Sequence, residues 1–279
     1  VPVRPLALVS MLAFLAVMLA LVPPATAQRA PQAERLMTVL RVADTIAIMR
    51  REGLVYGADL GREMMPDLDQ KGWQARIDRL YDTARMQDIV ETSLVRELQG
   101  IDLAPLLAFF DTPLGERVVA LELSAREAFL DPEIEEVAKD RYGELVQEGA
   151  DIAARIDALI ADSDLVERNV SGILNSNLML YRGLADGGAW DLGEDEMLRD
   201  VWSQAETVRQ DSRIWLGGYL LTAYSPLAGD DLDRYVALWR SPEGRALNSA
   251  LFASYDQLYE ELSYLVGRAL AQHMRGQEL

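Results

Sequence analysis

From Ala33 onward apolar residues return every three or four positions, the period of one face of an α-helix. Ala33, Leu36, Leu40, Ala43 and Ala47 form a first stripe, and Ile77, Leu80, Ala84, Ile89 and Leu94 form the next. Asp131-Pro132 supplies a helix start, an aspartate N-cap followed by proline at the first helical position. From there Ile134, Ala138, Leu145, Ile152, Ile156 and Leu159 predict one long helix leading from the first half of the chain into the second. Gly53, Gly57, Gly61 and Pro66 punctuate the first half, and Gly187-Gly188, Gly193 and Ser225-Pro226 the second. Period-two β-branched runs and Asn-Gly hairpin signals are missing. The pattern predicts an all-α helical bundle.

The same pattern is doubled. Residues 102–115, DLAPLLAFFDTPLG, align without a gap on residues 231–244, DLDRYVALWRSPEG, 129 positions later. That offset also sets Trp73 on Trp202, Leu36 on Leu165, Gly100 on Gly229 and Val137 on Val266. Asp102 and Asp231 read as N-caps. The following helix carries Leu103, Leu106, Leu107 and Phe110, and its twin Leu232, Tyr235, Val236 and Trp239, one repeated apolar face. Thr112-Pro113 and Ser241-Pro242 then stop that helix and start another, with the hydroxyl as N-cap and proline at N1. Gly115 and Gly244 fall at N3, where a missing side chain admits another helix. Val118, Leu121, Ala125 and Phe129 are matched by Leu247, Ala250, Ser254 and Leu258. The organisation read from this is an address at 1–27 and two pseudo-repeated helical halves, 28–150 and 151–279, packed as one unit.

Phe109–Gly115 and Leu238–Gly244 carry the pattern aromatic-x-[ST]-P-x-G. It resembles the signature of a domain-of-unknown-function family found in exported proteins of Gram-negative bacteria. The resemblance covers about 45 residues of each half; the first copy departs from the second in carrying Asp111 where the other has Arg240. It implies an α-helical periplasmic domain and brings no activity, cofactor or catalytic residue.

The N-terminal segment agrees with export. Arg4 precedes an apolar run from Leu6 to Val22, followed by Pro23-Pro24 and the small-residue site Ala25-Thr26-Ala27 before Gln28. That is the order of a cleavable secretory signal. No cysteine follows the site and no twin arginine precedes it, so the route is the general secretory one and the destination the periplasm. A leading valine fits a literally translated GTG codon, a bacterial habit. No membrane span is expected after cleavage.

Composition narrows the chemistry. With 27 basic against 45 acidic residues the formal charge is −18, which argues against nucleic acid and anionic membrane as partners. The chain has no cysteine and one histidine, so thiolate zinc sites, iron–sulfur clusters, cysteine nucleophiles and multi-histidine metal sites are excluded. His273, near the end of the last helix, reads as a cation at a helix C-terminus, with no nucleophile elbow to serve. Glu133, Glu135, Glu136 and Asp140 read as a solvated helix start, and Asp191, Glu194, Asp195 and Glu196 as an acidic loop without the calcium-loop spacing. Neither a metal nor a cofactor is expected.

The stretch Ile214–Tyr224 is apolar nearly all round, unlike its counterpart Arg85–Val95. It predicts a buried central helix in which Gly217-Gly218 permit close contact. The sharper expectation is that Trp215, Tyr219 and Tyr224, with Trp202, line an apolar groove for a peptide or lipid-like ligand, with Asn169, Asn175, Ser176 and Asn177 as polar residues facing it. The functional expectation is therefore a non-catalytic periplasmic binding or interaction protein of the cell envelope, its partner an envelope protein, a peptide or a lipid-like molecule. The rival is an envelope hydrolase using carboxylates alone, which needs two of them about 5–10 Å apart in a cleft.

Overall fold

The computed structural model describes the backbone of residues 25–64 and 69–275 and the side chains from Pro31 on. The predicted leader lies outside the described residues except for the backbone of its last three, and Pro66 lies outside them as well. All regular structure among the described residues is α-helical. The first half holds α1 (Ala25–Val39), α2 (Val42–Met64), α3 (Gln70–Leu80), α4 (Thr83–Glu97), α5 (Ala104–Phe110), α6 (Pro113–Ala128) and α7 (Pro132–Glu148). The second holds α8 (Asp151–Asp162), α9 (Leu165–Asp186), α10 (Glu194–Ser203), α11 (Ala205–Tyr224), α12 (Gly229–Arg240) and α13 (Pro242–Arg275). One continuous apolar core runs from Ala33 to Ala271. The halves interlock: α13 lies along α9 and also on α4 and α3, while α11 packs against α7 and α6 as well as α9. No described helix is long and apolar enough to cross a membrane.

Glycine decides how closely these helices approach. Gly53, Gly57 and Gly61, read from the sequence as punctuation, lie inside α2 and are buried at a spacing of four. They form a groove that receives Tyr81 at the end of α3 and Ile77 and Trp73 within it, in that order. Trp73 Nε1 donates to the Gly57 carbonyl at 2.7 Å, so the buried indole keeps its polar handle satisfied. His273 sits in the last turn of α13, as expected, with its ring 5.8 Å from that of Trp73. On α11, Gly217 faces the Tyr142 ring and Gly218 the backbone of Ala138 and Lys139 on α7. Leu216, Leu220, Leu221, Ala223 and Tyr224 are buried beside them, which is the central helix anticipated from composition.

The helix–turn–helix corner is built the same way in both places. Thr112 Oγ1 accepts from Gly115 N–H at 3.1 Å, and Ser241 Oγ accepts from Gly244 N–H at 2.9 Å. Each hydroxyl also donates back to a carbonyl three residues earlier, Phe109 and Leu238, at 2.7 Å. A side chain at Gly115 would collide with the Phe109 carbonyl and Phe110 Cα, and one at Gly244 with the Leu238 carbonyl and Trp239 Cα. The glycine therefore makes room for the corner's own incoming helix. Thr112→Ala and Ser241→Ala should each cost about 1 kcal/mol, the usual worth of an N-cap, read as a lower urea midpoint with unchanged slope.

Outside the corner the equivalences diverge. Neither aspartate is the N-cap expected of it: Asp102 accepts from Ala104 N–H at 3.0 Å but precedes Leu103, the cap of α5, and Asp231 lies inside the first turn of α12 and pairs with Arg234. Trp73 is fully buried whereas Trp202 is 60% exposed, and Val137 is 69% exposed whereas Val266 is buried. The long helix predicted from Pro132 is two helices. Asp131 caps α7 as expected, accepting from Glu133 N–H at 3.0 Å, but Gly149 takes a left-handed conformation (φ 67°) and ends it, and α8 starts afresh.

Candidate functional site

A cleft of about 1940 Å³ opens between the two halves. Its walls come from α2, α6, α11, α12 and α13, with α7, α8 and α9 completing the rim. On α11, Trp215 and Tyr219 are one turn apart and stack, with centroids 5.1 Å apart and planes at 8°; the Phe129 ring stands edge-on to both at 5.7 Å. Tyr235 of α12 meets Phe109 face on and Tyr224 and Trp239 edge on, each at 5.7 Å.

Two charged side chains from α6 enter this aromatic setting on successive turns. Glu122 is half-buried on the cleft wall. The hydroxyls of Tyr224 and Tyr235 both donate to its Oε1 at 2.6 Å, and Tyr219 donates to its backbone carbonyl at 3.1 Å. Burial pushes the Glu122 carboxyl above its ordinary value, against the opposing effect of the two tyrosine hydrogen bonds. Burial, reinforced by Glu122, holds both hydroxyls protonated far above the usual tyrosine range. Arg126, one turn on, forks onto Glu52 of α2 with two bonds of 2.8 Å and donates to Tyr259 of α13 at 3.1 Å, tying three helices together at the cleft floor. On the α13 side Asp256 is pushed up to about 6, by burial first and by Glu260 second, with Arg168 opposing.

Three of the four residues expected to line the groove do so: Trp215, Tyr219 and Tyr224. Trp202 does not; it stands on α10, exposed, because its face of that helix points away from the core that holds Met197 and Val201. Asn169, Ser176 and Asn177 line the cleft, and Asn175 is on the exposed side of α9. The expectation of an apolar groove is corrected to a mixed one, since carboxylates and Arg126 stand among the rings. Glu135, Glu136 and Asp140 sit at its rim, where Lys139 bridges Glu135 at 3.1 Å and Glu136 at 2.9 Å. Glu194 pairs with Arg182. Among the described residues no cluster of carboxylates or histidine has the arrangement of a metal site.

Sequence reasoning passed over Glu122, Arg126 and Glu52. Their signal is positional. Glu122 falls on the stripe Val118, Glu122, Ala125, Phe129, and Glu52 follows the buried Ile48 and Met49 by one helical turn, so each is an ionisable group next to inward-turned apolar residues. The chain matches no family model, and no curated protein or solved structure is significantly similar to it.

Proposed function

We propose that this chain is an exported, periplasmic binding protein that holds an amphiphilic small ligand in the cleft between two helical halves and does no chemistry on it. The observation that carries the reading is the tyrosine-held Glu122 beside the Trp215–Tyr219 stack. It is a polar anchor set in an aromatic wall, the composition by which concave sites fix orientation and gain affinity together. The cleft is larger than the roughly 300–1,000 Å³ that holds a drug-sized molecule. Export is supported by the order of Arg4, the apolar run and Ala25-Thr26-Ala27. Duplication is supported by the matching caps at Thr112 and Ser241, but not by Trp73 and Trp202 or Val137 and Val266, whose surroundings are unlike.

The hydrolase reading has one observation in its favour: Glu122 and Asp256 line the same cleft and both are shifted upward. Carboxylate catalysis, however, works with a pair whose environments push the two apart, one held protonated and one ionised. Here burial drives both the same way, and Glu52, another carboxylate of the cleft, is locked on Arg126.

N-phenyl-1-naphthylamine, whose emission rises in apolar surroundings, tests the binding reading. Saturable enhancement at one equivalent is expected, lost in Trp215→Ala with its melting transition retained. No enhancement above that of a denatured control overturns the reading. Expression of the full chain in a Gram-negative host should place the protein in the periplasmic fraction with Gln28 at its N-terminus; recovery in the cytoplasm with residues 1–27 attached would refute export.

A further inference from the structure

We infer that the ligand of this cleft is an organic ammonium ion with an apolar body, its cationic group seated against Glu122 and its body against the Trp215–Tyr219 stack. This rests on the reading of the cleft as a small-ligand site. The first ground is a carboxyl without a cationic partner. A carboxyl drawn into a protein interior either is paired with a cation or keeps its proton, and an arriving cation favours the ionised form. Glu122 has no cationic partner among the described residues, because the neighbouring guanidinium of Arg126 is held by Glu52. The second ground is hydrogen-bond geometry. Tyr224 and Tyr235 both donate to Oε1, and Oε2 takes no hydrogen bond from the described residues, which leaves an unused acceptor on a side chain that lines the cleft. An ammonium N–H fits that acceptor; a ligand carboxylate or phosphate would meet it with like charge.

The surroundings point the same way. Nine carboxylates and three cations line the cleft, and two of those cations, Arg126 and Lys139, are already in ion pairs with Glu52, Glu135 and Glu136. Asp140, Asp211 and Asp256 line it without an ion pair among the described residues, so the cleft carries a negative potential that would gather cations and turn anions away. Tyrosine and tryptophan rings add attraction for an ammonium group that no neutral ligand shares. The tyrosine hydroxyls, held protonated by burial, keep donating to Glu122 and so favour its ionised form when a cation arrives.

Isothermal titration calorimetry with three probes of one shape tests this: phenethylammonium, 2-phenylethanol and 3-phenylpropionate, against the full chain and its Glu122→Gln variant. The ammonium should bind the native protein at least about tenfold more tightly than the alcohol, the worth of a hydrogen bond to a charged group, and the carboxylate should not bind detectably. In Glu122→Gln the ammonium should fall to the level of the alcohol, while the alcohol loses less than the ammonium does, since its hydroxyl can donate to the amide oxygen of glutamine as well as to a carboxylate. Trp215→Ala should weaken the ammonium and the alcohol alike, placing the body of both on the aromatic wall. Thermal melts confirm that each variant is folded. Equal affinity of ammonium and alcohol, tightest binding of the carboxylate, or an ammonium preference that survives Glu122→Gln would overturn the inference and leave the binding reading standing. Failure of all three probes to bind would overturn both.

Discussion

Gly267→Ala is expected to destabilise the protein by about 3 kcal/mol, lowering the thermal midpoint by roughly 6–12 °C in a chain of this size, whereas Gly143→Ala should raise stability by about 0.5–1 kcal/mol. Both glycines lie inside long helices, and by intrinsic propensity alone each substitution should stabilise. The neighbours decide the sign. A Cβ on Gly143 would meet nothing within 4 Å, so the propensity gain is realised. A Cβ on Gly267 would stand 3.0 Å from Leu184 N and closer still to the Leu180 carbonyl, both backbone of α9. Facing it, a Cβ on Gly183 would lie 2.9 Å from Arg268 N and 3.1 Å from Gly267 Cα. Backbone cannot rotate aside as a side-chain tip can, so α9 and α13 must separate, and the seam they share is the most extensive helix–helix contact among the described residues. Loss of the apolar contacts at Leu174, Leu184, Val266 and Leu270, all buried, would accompany any separation. Chemical denaturation of the two variants in parallel checks the claim; a Gly267→Ala protein as stable as the native one would mean the helices do not meet as closely as described.

That seam shows which parts of the fold can be read from residue order and which cannot. The corners at Thr112-Pro113 and Ser241-Pro242 are legible because a hydroxyl, a proline and a glycine at fixed spacing act on each other within one turn. The cap at Asp131 is legible for the same reason. Gly53, Gly57 and Gly61 were misread because glycine at a spacing of four looks alike whether it interrupts a helix or forms a groove on one. Only the presence of Trp73, Ile77 and Tyr81 at the matching spacing on α3 separates the two, and that is a tertiary fact. Gly149 erred in the opposite direction: the apolar stripe continues across it in phase, so nothing local distinguishes a tolerated glycine from the left-handed residue that ends α7. At the cleft, the aromatic residues of α11 were visible as an anomaly of composition. Trp202, expected beside them, stands exposed on α10 instead, because residue type alone does not fix which way a side chain faces. Glu122 and Arg126 had a signal, an ionisable residue on an inward stripe, but their partners Tyr224, Tyr235 and Glu52 come from helices distant in sequence.

Glu122→Gln should make the protein more stable at about pH 8 and leave it unchanged at about pH 4, the difference amounting to about 1.4 kcal/mol for each pK unit by which folding raises the native carboxyl. The sign follows from linkage. The folded state holds the Glu122 proton more tightly than the unfolded chain, whose carboxyl titrates near the ordinary 4.5. Below that value both states are protonated and the side chain is a neutral acid sharing hydrogen bonds with Tyr224 and Tyr235. As pH rises through 4.5 the unfolded chain releases its proton first, so native stability falls, and it goes on falling until the folded carboxyl has ionised as well. Glutamine keeps an oxygen for the two tyrosine hydroxyls and has no proton to lose, so the variant escapes that decline. Asp256, pushed up to about 6, titrates in the same window but is common to both proteins and cancels in the comparison. Urea denaturation across this range measures the difference directly; equal stability of the two proteins at every pH would show that Glu122 is solvated as well in the fold as outside it. A group that weakens the fold above pH 4.5 while a conservative neutral replacement strengthens it is what a binding site requires, because a preorganised anion left without a partner in the free protein is available to a cation that arrives. The gain in stability and the loss of ammonium affinity should therefore appear together in this one variant.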